Sequence, residues 1–431
     1  MRHAISFSDL AGRRVGVFGL GVEGHAVRER LAALDCDLVL VDDDPAATGV
    51  AGVLATSEGG AAALTSCEAV VKSPGISRYR DDVSSLVHRG VPVLGGVGMW
   101  LEEADRDHVV CVTGTKGKST VTTVIGHLAE GLGTPAVVVG NLGRPPFAPG
   151  ADLSGRLVVC ETSSFQATDV AHTPAVVAVT SLGDDHVDWH RTAERYHADK
   201  LSLTRQPGAR HTVAAHSTTL VDHREQLGGE VTWVRGGEPA LATALGLNGR
   251  HGAMNAAVAV AALRAAGVAG ADDPSRLLAA AAGYEPLKGR FKEILVTGGI
   301  RFVDDSLATN PLPTIAAIEA VDGERVALLV GGHDRGVDYG ALADAIARRD
   351  GATLVVTLPD NGPAIGRLVA ERSTIEVVDA ADLGVAVAVA VQWLGHEGLV
   401  LLSPAAPSFS QFANWEERSD AFAAAARTAH A

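Results

Sequence analysis

Short β-branched runs alternate with helical stretches along almost the whole chain, and a chain patterned this way folds as parallel α/β units. Arg14 to Phe18 reads as a strand, Gly24 to Leu34 as a helix and Asp37 to Val41 as the next strand. The polar stretch Glu102 to Asp107 predicts a linker. Beyond it, a strand at His108 to Thr113 runs through a Gly-rich turn into a helix starting near Lys118. Strands follow at Arg156 to Glu161 and Ala175 to Thr180, then a helix from Thr192 to Arg205. After a break at Gly289-Arg290, strands at Arg301 to Val303, Val326 to Val330, Thr353 to Thr357 and Gly398 to Leu402 make a third series. A length of 431 residues fits three domains at roughly 150 residues each, with divisions at 1–104, 105–288 and 289–431.

The sharpest local signal is Thr113-Gly114-Thr115-Lys116-Gly117-Lys118-Ser119-Thr120, set between a strand and a helix. A phosphate loop needs glycines so that backbone N–H groups can curl round oxyanions, a Lys to reach the β/γ-phosphates and a hydroxyl for Mg²⁺. Gly117-Lys118-Ser119 supplies that ending at a helix N-terminus, where the dipole favours anions. The spacing is unusual, because Val112 stands where the first glycine of G-x-x-x-x-G-K-S belongs. A polar turn with a helix cap is the plainer reading, and the strand–turn–helix context outweighs it.

A second signal is Gly19-Leu20-Gly21-Val22-Glu23-Gly24, with Asp42 closing the second strand about 20 residues on. This fingerprint serves NAD-dependent dehydrogenases and other diphosphate-binding domains alike, although a second nucleotide loop fits a simple dehydrogenase poorly. A third is Glu161-Thr162-Ser163-Ser164 at a strand's end, followed by Asp184-Asp185-His186, Tyr196 and Lys200. At the carboxyl ends of parallel strands such groups converge on the ligand crevice, and with a phosphate loop they can make a magnesium–ATP site. Taken singly, His186 reads as a surface histidine and Lys200 as a solvated helix residue. The last third carries Gly289-Arg290-Phe291, Asp304-Asp305-Ser306, Thr309-Asn310, Gly331 to Gly336 and Ser403 to Phe409, which composition alone reads as turns and caps.

A net charge of -15 argues against nucleic acid and against an acidic membrane surface as partners. Met1 to Val15 lacks the apolar core of a signal peptide, and the longest apolar run, Val385 to Trp393, is too short to span a bilayer. The four cysteines, Cys36, Cys67, Cys111 and Cys160, form no C-x-x-C pair and read as reduced, mostly buried thiols. The expectation is a cytoplasmic protein without membrane insertion.

In this order the groups resemble the Mur ligase family over essentially the whole chain, and within it the glutamate-adding members. The family's short phosphate loop is similar to Gly114 to Thr120, its Asn-Xaa-Gly loop to Asn141-Leu142-Gly143, and its Glu-Xaa-Ser-Ser-Phe-Gln to Glu161 to Gln166. Its Asp-His segment and following lysine resemble Asp185-His186 and Lys200, and its Asp-Ser-Xaa-Ala-Thr-Asn stands as Asp305 to Asn310. The resemblance implies an N-terminal Rossmann-like domain for the UDP moiety, a central P-loop ATPase-type α/β domain with a mostly parallel sheet, and a C-terminal Rossmann-like domain. It implies that ATP phosphorylates the alanyl carboxylate of UDP-N-acetylmuramoyl-L-alanine and that an amino acid's amine then attacks the acyl phosphate.

Carried over by residue, the resemblance makes Lys118, Glu161, His186 and Lys200 the catalytic set. Gly114, Thr115, Lys116, Gly117, Lys118, Ser119 and Thr120 would cradle ATP, with Asn255, Arg290 and Asp305 also on the nucleotide. Ser119 and Glu161 would hold one Mg²⁺, and His186 a second, assisted by Lys200 as a carbamate. Gly19, Leu20, Gly21, Val22, Glu23, Asp42, Ser73, Pro74, Gly75 and Asn141 would line the UDP precursor, and Thr309, Arg335, Ser408 and Trp415 the glutamate.

The chain departs from the family pattern where His251-Gly252-Ala253-Met254-Asn255 lacks one adenine-side asparagine, and where Leu307, Arg335 and Trp415 replace Lys, Lys and Phe of the D-glutamate branch. Arginine in place of lysine exchanges a point charge for a planar fork and so alters the direction from which a carboxylate is held. Val71 to Ser77, Asp188-Trp189-His190, Gly331 to Gly336 and Ala406 to Phe409 resemble the variant branch that adds L-glutamate, in whose pathway a separate epimerase acts afterwards; Ala308-Thr309-Asn310 keeps the D-branch form. The resemblance therefore favours a monomeric L-glutamate ligase, with the D-glutamate ligase, a folate or peptide polyglutamate ligase and a non-catalytic nucleotide-binding protein as rivals.

Overall fold

The computed structural model describes residues 2–247, 249–334, 336–409 and 411–429. Among these residues the strands form three sheets. The first comprises β1 (Arg14–Phe18), β2 (Asp37–Asp42), β3 (Leu54–Ala55), β4 (Ala69–Lys72) and β5 (Val93–Leu94), all parallel in the order β3-β2-β1-β4-β5. The second comprises β6 (Val109–Thr113), β7 (Ala136–Gly140), β8 (Leu157–Glu161), β9 (Val176–Val179), β10 (His211–Ala215) and β11 (Glu230–Val234), again all parallel, in the order β11-β10-β9-β6-β8-β7. The third comprises β12 (Lys292–Thr297), β13 (Ile300–Asp304), β14 (Val326–Val330), β15 (Thr353–Thr357), β16 (Glu376–Asp379) and β17 (Gly398–Leu402). Its order is β12-β13-β17-β14-β15-β16, and only β12 runs antiparallel to its neighbour.

Parallel strands covered on both faces read as unbroken apolar runs, which is the character of β6, β14 and β15, each buried along its full length. By contrast β2 alternates in exposure and lies nearer the sheet margin. The chain divides into two compact units, Met1–Leu241 with Met254–Tyr284, and Ala242–Ala253 with Glu285–Ala431. The first two sheets belong to the first unit and the third sheet to the second.

The main strands expected from sequence are present, with ends displaced by a residue or so. The first helix is Val22–Ala32 and starts directly after the Gly-rich turn, before the expected Gly24. The stretch expected as a linker is instead the end of the helix Gly96–Glu103 and a 3-10 turn, Arg106–His108, whose N–H at Asp107 is capped by the Asp105 carboxylate. The helix expected from Thr192 to Arg205 is Ala193–Leu201, capped by the Thr192 hydroxyl, with a 3-10 turn at Ser202–Thr204. All four cysteines are free thiols; Cys67, Cys111 and Cys160 are buried, Cys36 is half-buried, and Cys111 lies opposite Cys160 on β6 and β8. Among the described residues no helix is long and apolar enough to cross a membrane.

Candidate active site

In open α/β sheets ligands bind beyond the carboxyl ends of the strands, where the strand order reverses. In the first sheet that point lies between β1 and β4, and a cleft of ≈ 350 Å³ opens there, lined by Gly19, Gly21, Val22, Glu23, Asp42 and the Ser73–Ile76 turn. The turn is held tightly. Leu20 N–H donates to Asp42 Oδ2 at 2.6 Å, and the Ser73 hydroxyl donates to the Gly19 carbonyl at 2.7 Å. A Cβ on Gly24 would lie 2.0 Å from that same carbonyl, so the helix can follow the strand this closely only with glycine there. Asp42 thus spends one carboxylate oxygen on the loop backbone and the other on Asp44 N–H. Glu23 accepts a hydrogen bond from Gln166, and burial pushes its carboxyl up to about 7 despite that bond and the nearby Lys72.

In the second sheet β6 leads through Gly114–Gly117 into the helix Lys118–Gly131. Gly117 has φ +87°, and a Cβ there would meet Asn255 Oδ1 at 2.7 Å, which brings the helix Gly249–Ala265 to the loop. The segment after β9 braces the loop from the other side. Lys116 N–H donates to Ser181 Oγ at 2.8 Å, Thr115 N–H donates to the Ser181 carbonyl at 3.0 Å, and Lys116 Nζ lies 3.3 Å from Asp185 Oδ2. Burial alone would raise the Asp185 carboxyl, but Lys116 and His186 together hold it below its ordinary value.

Two ammonium groups converge on one carbonyl: Lys118 Nζ and Lys200 Nζ donate to Gly114 O at 2.9 and 3.0 Å. Lys200 is buried on the helix Ala193–Leu201, and desolvation, then Lys118, hold its amine well below its ordinary value. Glu161 ends β8, the strand beside β6. Its Oε1 accepts from Asn141 Nδ2 at 2.8 Å, while its Oε2 is buried with no hydrogen-bond partner. Asn141, expected on the precursor, is thus tied to Glu161. His186 sits in the left-handed region at φ 49°, edge-on to Phe165 with ring centroids 4.9 Å apart. Among the described residues no three His, Cys, Asp or Glu side chains group as a metal site. The expected set has only Glu161 and His186 of those types; Lys200 acts electrostatically with both, and Ser119 is buried at the start of the helix Lys118–Gly131.

The second unit places its residues at the ends of β13, β14 and β17. Asp305 follows β13; Ser403 Oγ donates to its Oδ2 at 2.7 Å and Phe291 N–H to its Oδ1 at 3.2 Å. Burial raises the Asp305 carboxyl to about 7, against the pull of Ser403 and Arg290. Thr309 lies in the turn that starts at Leu307, whose N–H donates to the Gly289 carbonyl at 2.9 Å; the Trp415 ring packs beside Gly289. Ser408 is buried and its carbonyl accepts from Gln411 and Phe412. Arg335 lies outside the described residues.

Sequence reasoning missed Arg418. It is 1% exposed, and its guanidinium donates to the Ala406 carbonyl at 3.0 Å and to the Ser306 carbonyl at 2.8 Å, pinning two site loops together. Gln166 and Tyr196 stood in the sequence motifs without an assigned role; the Gln166 amide donates to Glu23, and the Tyr196 hydroxyl donates to Thr115 Oγ1 at 2.9 Å.

Residues 112–223 match the Mur ligase middle domain and residues 289–406 the Mur ligase glutamate ligase domain. The UDP-N-acetylmuramoyl-L-alanine–L-glutamate ligase of a Micromonospora species is 38% identical, with 97% of this chain and 98% of that protein covered. Its namesake in Salinispora tropica is 36% identical over the same shares. The MurF ligase of Thermotoga maritima, solved in complex with ADP, superposes with a TM-score of 0.55 at 14% identity, over 97% of this chain and 99% of that one. Likeness of this extent, on a site built round a phosphate loop, places the chain in the Mur ligase family of ATP-dependent, amide-bond-forming ligases.

Proposed function

We propose that the chain joins L-glutamate to UDP-N-acetylmuramoyl-L-alanine at the cost of ATP, in the cytoplasmic synthesis of peptidoglycan precursor. The observation that carries this reading is the likeness to L-glutamate ligases along nearly the whole chain, coupled to a phosphate loop on which Lys118 and Lys200 converge. In the reaction the alanyl carboxylate oxygen attacks the γ-phosphorus of ATP and ADP leaves. The glutamate amine then attacks the acyl carbon, phosphate leaves with the bonding pair, and the amine loses a proton. A carboxylate is a poor electrophile, and phosphorylation gives it a leaving group; the protein's part is positioning and charge neutralisation.

Backbone N–H groups of Gly114 to Thr120 and the Lys118 ammonium would hold the ATP phosphates, with Asn255, Arg290 and Asp305 on the rest of the nucleotide. The buried, unpartnered Oε2 of Glu161 fits a cation ligand, as does the Ser119 hydroxyl at the helix start. Mg²⁺ held by Ser119 and Glu161, and by His186 with Lys200, would neutralise the phosphate oxygens. The lowered basicity of Lys200 supports its carbamylation, because only the free amine takes up CO₂. The cleft from Gly19 to Glu23, with Asp42 and Ser73 to Gly75, would take the UDP end, and Asn141 the precursor beyond it. Thr309, Arg335, Ser408 and Trp415 would hold glutamate. The chain would comprise three domains at 1–104, 105–288 and 289–431 and act as a monomer, and an epimerase would later invert the new terminus.

The test is phosphate release from ATP with UDP-N-acetylmuramoyl-L-alanine and L-glutamate, D-glutamate or no amino acid. Turnover with L-glutamate supports the reading; turnover mainly with D-glutamate assigns the chain to the D-branch, whose Ala308-Thr309-Asn310 it carries. An Arg335→Ala variant with an unchanged KM for glutamate would remove Arg335 from the pocket.

A further inference from the structure

Two consecutive side chains, Trp189 and His190, lie against each other at the end of the short helix Val187–His190, ring centroids 4.4 Å apart, and bond to different segments. Trp189 faces the turn that lines the precursor cleft: its indole N–H donates to the Pro74 carbonyl at 3.0 Å, and its own carbonyl accepts from Ser77 Oγ at 2.7 Å. His190 bonds to the helix Ala193–Leu201 and to the segment after β8. It is fully buried, with Nδ1 2.7 Å from Asp199 Oδ2 and Nε2 3.0 Å from Ser164 Oγ. Asp199 adjoins Lys200, and Ser164 lies on the segment that Glu161 begins. A second bridge runs in parallel, from the same turn to the same carboxylate: the Tyr79 hydroxyl donates to Asp199 Oδ2 at 2.7 Å. Phe165 stacks on the Trp189 ring at 4.6 Å and 21°, so the bridge is packed as well as hydrogen-bonded.

Packing alone asks only for apolar contact here. Instead Trp189 bonds to residues 74–77, and His190 and Tyr79 bond to Asp199 on the helix Ala193–Leu201, so hydrogen bonds link that turn to that helix. That helix presses Lys200 onto the Gly114 carbonyl and Tyr196 onto Thr115. A turn that shifts when the cleft fills must move these bonds or the helix with it, because close-packed, hydrogen-bonded elements do not yield smoothly.

We infer that Trp189, His190, Tyr79 and Asp199 are positioning residues that couple occupancy of the precursor cleft to the phosphate-loop site. The inference rests on the proposed reading of the two sites. Coupling is reciprocal and is measured as the factor by which one ligand strengthens the other. The experiment determines the affinity of a non-hydrolysable ATP analogue with Mg²⁺, with and without UDP-N-acetylmuramoyl-L-alanine, for the wild type and for a Trp189→Phe/Tyr79→Phe double variant. That variant deletes one N–H and one hydroxyl; position 79 keeps its ring, and position 189 keeps an aromatic ring of smaller size. The wild type is expected to gain about fivefold or more in nucleotide affinity from the precursor. The double variant should gain less than about twofold, with its affinity for nucleotide alone within about twofold of wild type. Equal gains in both proteins, or no gain in the wild type, overturn the relay. A wild type that fails to bind the precursor at all overturns the reading of the cleft, and the relay with it. Should the double variant not fold, Tyr79→Phe alone, which removes a single oxygen, carries the same comparison; a gain equal to wild type would refute the inference.

Discussion

Replacing Asp169 with alanine strips the anion from two cations at once. Asp169 Oδ2 lies 2.7 Å from Lys72 Nζ and Oδ1 lies 3.3 Å from Arg78, and the Lys72 and Asp169 side chains are 0% and 2% exposed. Lys72 closes β4 of the first sheet, and Asp169 follows the Glu161 segment of the second, so this pair ties the two sheets of the first unit. Breaking a fully buried pair by removing one partner costs about 3–5 kcal/mol, because the other charge is left unpaired in a low-dielectric place. Lys72→Met is milder, at about 1–2 kcal/mol, since Asp169 keeps Arg78 and the methionine fills the lysine's volume. The Lys72→Met/Asp169→Ala double variant should then be more stable than Asp169→Ala by about 2 kcal/mol, having lost the stranded ammonium. At about 2–3 °C per kcal/mol, Asp169→Ala lowers the Tm of the transition by roughly 6–15 °C. Scanning calorimetry on the wild type, both singles and the double measures all three terms. A loss under about 1 kcal/mol for Asp169→Ala, or a double variant as unstable as that single, refutes the account.

Gly117→Ala forces a Cβ into a left-handed loop position against Asn255, which costs about 1–2 kcal/mol in backbone alone, and kcat/KM for ATP should fall at least about tenfold; a phosphate-release rate within twofold of wild type contradicts the loop geometry. Glu23 has a folded-state pKa raised to about 7, so its contribution to stability is present below the ordinary carboxylate range and is lost as pH rises through about 7. Glu23→Gln, which cannot ionise, should gain Tm relative to wild type progressively from about pH 5 to pH 8, and a difference independent of pH rules out this titration. Lys200→Arg keeps the charge but cannot form a carbamate; phosphate release should drop about a hundredfold or more and stop responding to bicarbonate, which should restore wild-type enzyme stripped of CO₂. Bicarbonate without effect on the stripped wild type would exclude the carbamate.

The parallel α/β character was legible because buried parallel strands are written as contiguous Val, Leu and Thr, as in Val326–Val330 and Thr353–Thr357. The edge strand β11 was not, since its five residues alternate between exposed Glu230 and Thr232 and half-buried Val231 and Trp233 instead of forming a contiguous apolar run. The phosphate loop and Glu161 were legible because polar residues at a strand's end have few other reasons to be there; Lys200, on the helix Ala193–Leu201, reads alone as a solvated residue and was singled out by the family resemblance. What reading along the chain could not supply is which distant residues meet. Gln166 on Glu23, Asp169 on Lys72 and Trp189 on Pro74 each join segments far apart in sequence, and nothing in the local composition marks one partner for the other.

Arg418 makes the same point about specificity. On the helix Trp415–Thr428 an arginine directly after two glutamates reads as a solvated face, yet it is buried deeply enough to lower its guanidinium to about 10. Beside it Asp304 accepts from Ser306 and Ser419, so the floor beneath the Ser306 and Ala406 turns is a hydrogen-bonded polar network, in which Arg418 Nε is left without a partner, rather than an apolar core. Such a network resists small displacements, because moving either turn would strand buried donors. Differences at Leu307 and Trp415 therefore act as changes of side chain on turns of fixed position, and not as shifts of the turns themselves. It follows that exchanging Leu307 for lysine and Trp415 for phenylalanine together should move the L- to D-glutamate preference without lowering Tm, whereas disturbing Arg418 should lower turnover with both.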